Sequence, residues 1–231
     1  MHAQPPILPI AALILMSACH AGDGGQKVAV APLAQASEPS ESRSVAASPL
    51  AQAPEFSETR TVLAVPHIQQ ETLLCVPTAA AMVLAFYGDQ QPPRRLKVLA
   101  SGGSYDPNAP FSDYSITLYR DIVRAVQTLG YSWVERSYPN TDSGFTDGIA
   151  LIESEIRNGR PVLADVTAPE GHTFVVSGFD TIARKLLVTD PNRPAPGQRW
   201  LGYEKFQAIW NERAYGGDFR SLVTTQAKTG P

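Results

Sequence analysis

Apolar residues are distributed along the chain in three ways. Ile7 to Met16 is one unbroken apolar run. From His20 to about Arg60, apolar residues are scattered among Ala, Ser, Pro, Gln and Glu, and Phe56 is the one aromatic side chain. From Thr61 onward they recur with periods. Thr78 to Tyr87 places Ala80, Val83, Leu84 and Tyr87 at i, i+3, i+4 and i+7, which predicts a helix. Pro77 suits its first turn, where the missing N–H removes no bond, and Gly88 suits its stop. Small or apolar residues surround almost the whole segment, so it should be buried. Cys75 then lies at its N-terminal end. Ser115 to Leu129 predicts a second helix with Leu118, Ile122, Val126 and Leu129 on one face. Asp147 to Asn158, closed by Gly159, predicts a third.

Short apolar runs predict strands at Thr61–Val65, Arg160–Val166, His172–Phe179, Lys185–Asp190 and Arg220–Thr224. A short helix is predicted over Glu204–Trp210. Helices come first and antiparallel strands follow, which is an α+β pattern. The predicted organisation is a signal segment over 1–18, an Ala/Ser/Pro-rich tether over 19–60, one domain over 61–225 and a tail over 226–231.

The run Ile7–Met16 has the length of a signal-peptide core and is too short to span a bilayer, which takes about 20 residues. Met16-Ser17-Ala18-Cys19 resembles a lipobox, in which Cys19 is lipidated and becomes the mature N-terminus. Met16 stands where Leu is usual, and no Lys or Arg precedes the apolar run. Several acyl chains on Cys19 would give stable membrane attachment. His20 after Cys19 is not a retention Asp, so the expected location is the outer membrane, on its periplasmic face. Without lipidation the protein would be secreted. The tether is too poor in large apolar side chains to offset its ordering entropy.

Of 231 residues, 19 are Lys or Arg and 22 are Asp or Glu. The tether holds three of the basic and five of the acidic residues, which leaves 16 and 17 for the domain. No basic excess points to nucleic acid. Two Cys and four His exclude a disulfide-rich scaffold and give no ligand set for a Cys/His zinc site. No cofactor is implied.

A cysteine nucleophile needs a base and a group that orients the base. The chain order is Cys75, His172, Asp190. Cys75 opens a helix, His172 opens a strand and Asp190 ends the next strand of a predicted hairpin, whose pairing would bring Asp190 toward His172. N–H groups and the macrodipole at a helix start favour a thiolate. Gln69 lies six residues before Cys75, a spacing that lets its amide reach an oxyanion also contacted by the Cys75 N–H. Gln70 is the alternative. His67 reads as a satisfied loop residue.

These residues carry a resemblance. Val65-Pro66-His67-Ile68-Gln69 up to Cys75, then Pro77 to Leu84 with Tyr87-Gly88, is similar to the start of the bacteriocin-processing cysteine peptidases. These form the papain-like family numbered thirty-nine among cysteine peptidases, with free-standing relatives. Gly159-Arg160-Pro161-Val162, Gly171-His172, Gly178-Phe179-Asp180, Thr189-Asp190-Pro191-Asn192 and Phe206 with Trp210 resemble its later segments in order. The resemblance covers roughly residues 62–224. It implies a papain-like fold and a peptidase acting on peptide or protein substrates. Cys75 would be the nucleophile, His172 the base and acid, Asp190 the orienting group and Gln69 the oxyanion donor. Val76 departs from the family's Gly after the nucleophile. No transporter domain follows, so specificity for double-glycine leaders is not expected to carry over. Two rival readings are a cell-wall amidase or acyl transferase, and a degenerate peptide-binding accessory protein.

Overall fold

The computed structural model describes residues 59–103, 116–167, 171–213 and 216–229. All belong to one compact unit, Ser48–Pro231. The signal segment, Cys19 and almost all of the predicted tether lie outside the described residues.

The elements in chain order are β1 (Arg60–Val62), α1 (Cys75–Phe86), α2 (Pro93–Ala100), α3 (Tyr119–Thr128), β2 (Val134–Pro139), α4 (Asp142–Arg157), β3 (Val162–Val166), β4 (His172–Asp180), β5 (Lys185–Thr189), β6 (Gln198–Gly202), α5 (Tyr203–Ile209) and β7 (Phe219–Thr224). Every described strand pairing is antiparallel, in the order β2-β7-β3-β4-β5-β6. The fold is α+β, as the pattern of elements predicts.

β4 is the organising strand. β3 lies along His172–Val176, β1 continues on that side along Gly178–Asp180, and β5 runs down the other edge. Its burial is continuous from Thr173 to Phe179, as a strand covered on both faces requires. α1 packs against β4, and every residue from Val76 to Leu84 is buried. Three consecutive alanines let the helix lie close to its neighbours with almost no loss of side-chain entropy.

A second cluster closes the other side of the core. Trp210 stacks on Phe206 with ring centroids 5.0 Å apart, and its indole N–H donates to the Ser221 carbonyl at 2.9 Å. Gly148 makes room for it, because a Cβ there would lie 2.1 Å from the Trp210 ring. Fully burying each such aromatic stabilises by about 1.5–3 kcal/mol.

The structure corrects several boundaries. α1 begins at Cys75, not at Thr78, because Leu74 already serves as N-cap. The predicted 115–129 helix shortens to α3, since Leu118 is extended, with φ −78 and ψ 155; Ser115 lies outside the described residues. α4 begins five residues before the predicted Asp147. Thr141 caps it by accepting from the Gly144 N–H at 3.2 Å. The first strand is only β1; the chain's last bond to β4 on this side is from the Leu63 N–H to the Ser177 carbonyl at 2.7 Å, and Val65 N–H turns to the Leu63 carbonyl instead.

Candidate active site

Cys75, His172 and Asp190 arrive from three elements: the first turn of α1, the start of β4 and the end of β5. The β4–β5 register pairs Val175 with Thr189. That register carries Asp190 back toward His172, and the His172 Nε2 lies 2.8 Å from Asp190 Oδ1. Cys75, a half-buried free thiol, is the other side-chain partner of His172.

The local charges favour an imidazolium. Burial pushes the His172 pKa down, but the hydrogen bonds to Asp190 and Cys75, together with their charges, outweigh it and lift it to about 9. Burial pushes the Asp190 carboxyl up. The His172 hydrogen bond and charge, the Asn192 N–H and Arg199 outweigh that and hold it below the usual carboxylate range.

Asp190 is held from every side. Asn192 N–H donates to Oδ1 at 3.0 Å, and Arg199 Nη1 donates to Oδ2 at 3.0 Å. The Asp190 N–H donates to the Gly197 carbonyl, and the His67 ring lies 3.2 Å from the Asp190 carbonyl. Gly197 has φ +66, and a Cβ there would sit 2.2 Å from His67 and 2.9 Å from the Asp190 carbonyl. Only glycine fits that conformation and approach without strain. His67 is therefore satisfied within the loop scaffold, as its sequence context suggests. Arg199, which the sequence alone did not single out, lies on β6. Its role appears only once β5 and β6 are paired.

The two glutamines differ. Gln69 is exposed, and its Nε2 donates to the Pro191 carbonyl at 3.1 Å. Gln70 is half-buried, and its backbone N–H donates to the same carbonyl at 2.8 Å. Its side-chain oxygen is buried without a hydrogen-bond partner. The turn into α1 is strained: Leu73 has φ 63, a left-handed value that is rare for a bulky residue.

Beside Cys75 lies a cavity of about 350 Å³. Val76, Leu118, Tyr119 and Phe219 contribute apolar wall, and Asp165 and Glu212 contribute carboxyl groups. Burial raises the Asp165 pKa, and the neighbouring Glu212 carboxylate raises it further. Nothing in the sequence pattern flagged this pair. Asp165 reads simply as one position of a strand, and Glu212 lies beyond α5.

Among the described residues no helix is long and apolar enough to cross a membrane. Similar solved structures include the peptidase domain of Streptococcus ComA, described as a bifunctional ABC transporter involved in quorum sensing. That domain is 20% identical, with 71% of this chain and 98% of that one covered and a TM-score of 0.49. Another is xylellain, a cysteine protease from Xylella fastidiosa, 12% identical, with coverage of 76% and 90% and a TM-score of 0.43. A search of the curated proteins gave no match. The model of the Peptidase_C39 like family matches residues 62–217, which include Cys75, His172, Asp190 and both glutamines, and the chain belongs to that family.

Proposed function

We propose that this protein is a cysteine peptidase, tethered to the membrane through a lipidated Cys19, that hydrolyses peptide bonds outside the cytoplasm. The observation that carries the reading is the His172 imidazole, which has both Asp190 and Cys75 as side-chain partners. In that arrangement Cys75 is the nucleophile. Its thiolate attacks the carbonyl carbon, and His172 gives its proton to the leaving amine. The free imidazole then takes a proton from water, which hydrolyses the acyl-enzyme. Asp190 fixes the ring and stabilises its charge.

The tetrahedral oxyanion needs donors. The Cys75 N–H, free at the first turn of α1, is one. For the second, the six-residue spacing favours Gln69, but that side chain is exposed and already bound to Pro191. Gln70 better supports the role. Gln70 is half-buried, no hydrogen bond ties its side-chain amide to the Pro191 carbonyl, and its NH2 group is what would donate to the oxyanion. The tether and the envelope location rest on the sequence around Cys19.

The test is alkylation of Cys75 by iodoacetamide as a function of pH, with His172→Ala beside the unmodified chain. Fast reaction well below pH 8, lost in the variant, supports the reading. A rate that follows an ordinary thiol in both proteins overturns it, as would peptide hydrolysis that survives Cys75→Ala.

A further inference from the structure

The cavity beside Cys75 has a charge pattern of its own. Glu212 keeps only 8% of its exposure, lines the cavity and has the Asp165 carboxyl as its side-chain partner. Among the described residues no basic side chain bonds either group. Asp190 makes the contrast, being bound by His172, Arg193 and Arg199. Among the described residues the cavity's other charges are Glu135 and Arg120, both exposed; the Glu212 charge raises the Glu135 pKa and Arg120 partly opposes it. Asp165 and Glu212 thus form an acidic pair with no bonded cation among the described residues.

Buried carboxylates without a cation are costly, so the pair suits an incoming positive group. Among the described residues no three His, Cys, Asp or Glu side chains are placed to hold a metal ion. Apolar walls together with a pair of carboxyl groups match a long methylene stem with a charged end. The volume is at the low end for ligand pockets, about 300–1,000 Å³, which fits one side chain.

We propose that this cavity is a subsite that selects a lysine or arginine side chain of the substrate beside the bond attacked by Cys75. The proposal rests on the reading of Cys75 as nucleophile. A bound ammonium or guanidinium replaces the proton that Asp165 and Glu212 share, and that proton leaves to solvent. No covalent change occurs in the subsite.

The experiment uses the full chain and paired peptidyl fluoromethyl ketones. Each pair differs only in arginine against citrulline, or lysine against norleucine, at the first or second position before the ketone. The rate of labelling at Cys75 is read by peptide mass mapping, which separates it from Cys19. The basic member should label at least tenfold faster at one position, and the ratio should fall toward one in Glu212→Gln and in Asp165→Asn. A ratio near one at both positions in the unmodified chain overturns the subsite, as does a ratio unchanged in both variants. The same pairs, made as unreactive methyl ketones and titrated calorimetrically against Cys75→Ala, read the subsite without the thiol. Equal affinity within every pair there overturns it as well. Iodoacetamide reads the thiol alone, so failure of the peptidase reading is seen separately.

Discussion

At the scale of single residues, His172 fixes the pH range of the site. Its pKa is lifted to about 9 in the folded chain, so the imidazolium persists to about that pH. Activity per enzyme should therefore fall through about pH 9, as the ring loses the proton it must donate. The same shift stabilises the fold. That contribution is complete below about 6.5, the unperturbed value, and is lost as pH rises through about 9. A pH–rate profile of kcat/KM checks the limb, and a fall beginning near 6.5 would contradict it. The glutamines give a second prediction. Gln70→Ala should lower kcat by about 10²–10³, the size of one lost oxyanion donor, whereas Gln69→Ala should change it by less than about tenfold. Steady-state kinetics on both variants decide between them. Sequence spacing favoured Gln69. Which neighbour in an extended stretch faces the site depends on its backbone rotation, and spacing does not encode that.

At the scale of elements, the buried parts were the legible ones. α1, β3, β4, β5, α5 and β7 follow their apolar periods, and the Cys-His-Asp order could be read because each residue marks an element end. α2, β2 and β6 were not legible. β2 and β6 are the two ends of the sheet order, and β2, Val134–Pro139, is exposed along almost its whole length. With neither face well buried, no period of two is imposed. α2 is one eight-residue amphipathic segment behind two prolines. Gly144 and Gly148 hid the start of α4, since glycine weakens a helical pattern. Their reason is tertiary: Gly148 is the gap that Trp210 fills. Gly148→Ala adds a methyl 2.1 Å from that ring. It should destabilise by about 1–3 kcal/mol, despite alanine's better helix propensity. Chemical denaturation measures this, and an unchanged midpoint would show that Trp210 can move aside.

At the scale of the whole molecule, the acidic pair sets a tension between stability and the proposed specificity. Folding buries Asp165 beside Glu212 and raises the Asp165 pKa to about 9. The folded chain thus holds a proton that the unfolded chain releases above about 4. This stabilising term is complete below about pH 4 and is lost as pH rises through about 9. Glu212→Gln removes the neighbouring charge and leaves the burial. Its melting temperature should therefore decline less between pH 5 and pH 8 than that of the unmodified chain. Parallel declines in thermal scans would mean that the pair is not coupled in solution.

Cys75 is the first residue of a helix buried from Val76 to Leu84. That buried body anchors the half-buried thiol at its first turn, so Cys75 cannot shift far without disturbing the centre of the molecule. Amide hydrogens of α1 should exchange with deuterium only when the whole unit opens. On heating, loss of the fast-reacting thiol should coincide with loss of secondary structure, with no intermediate range of folded but inactive protein.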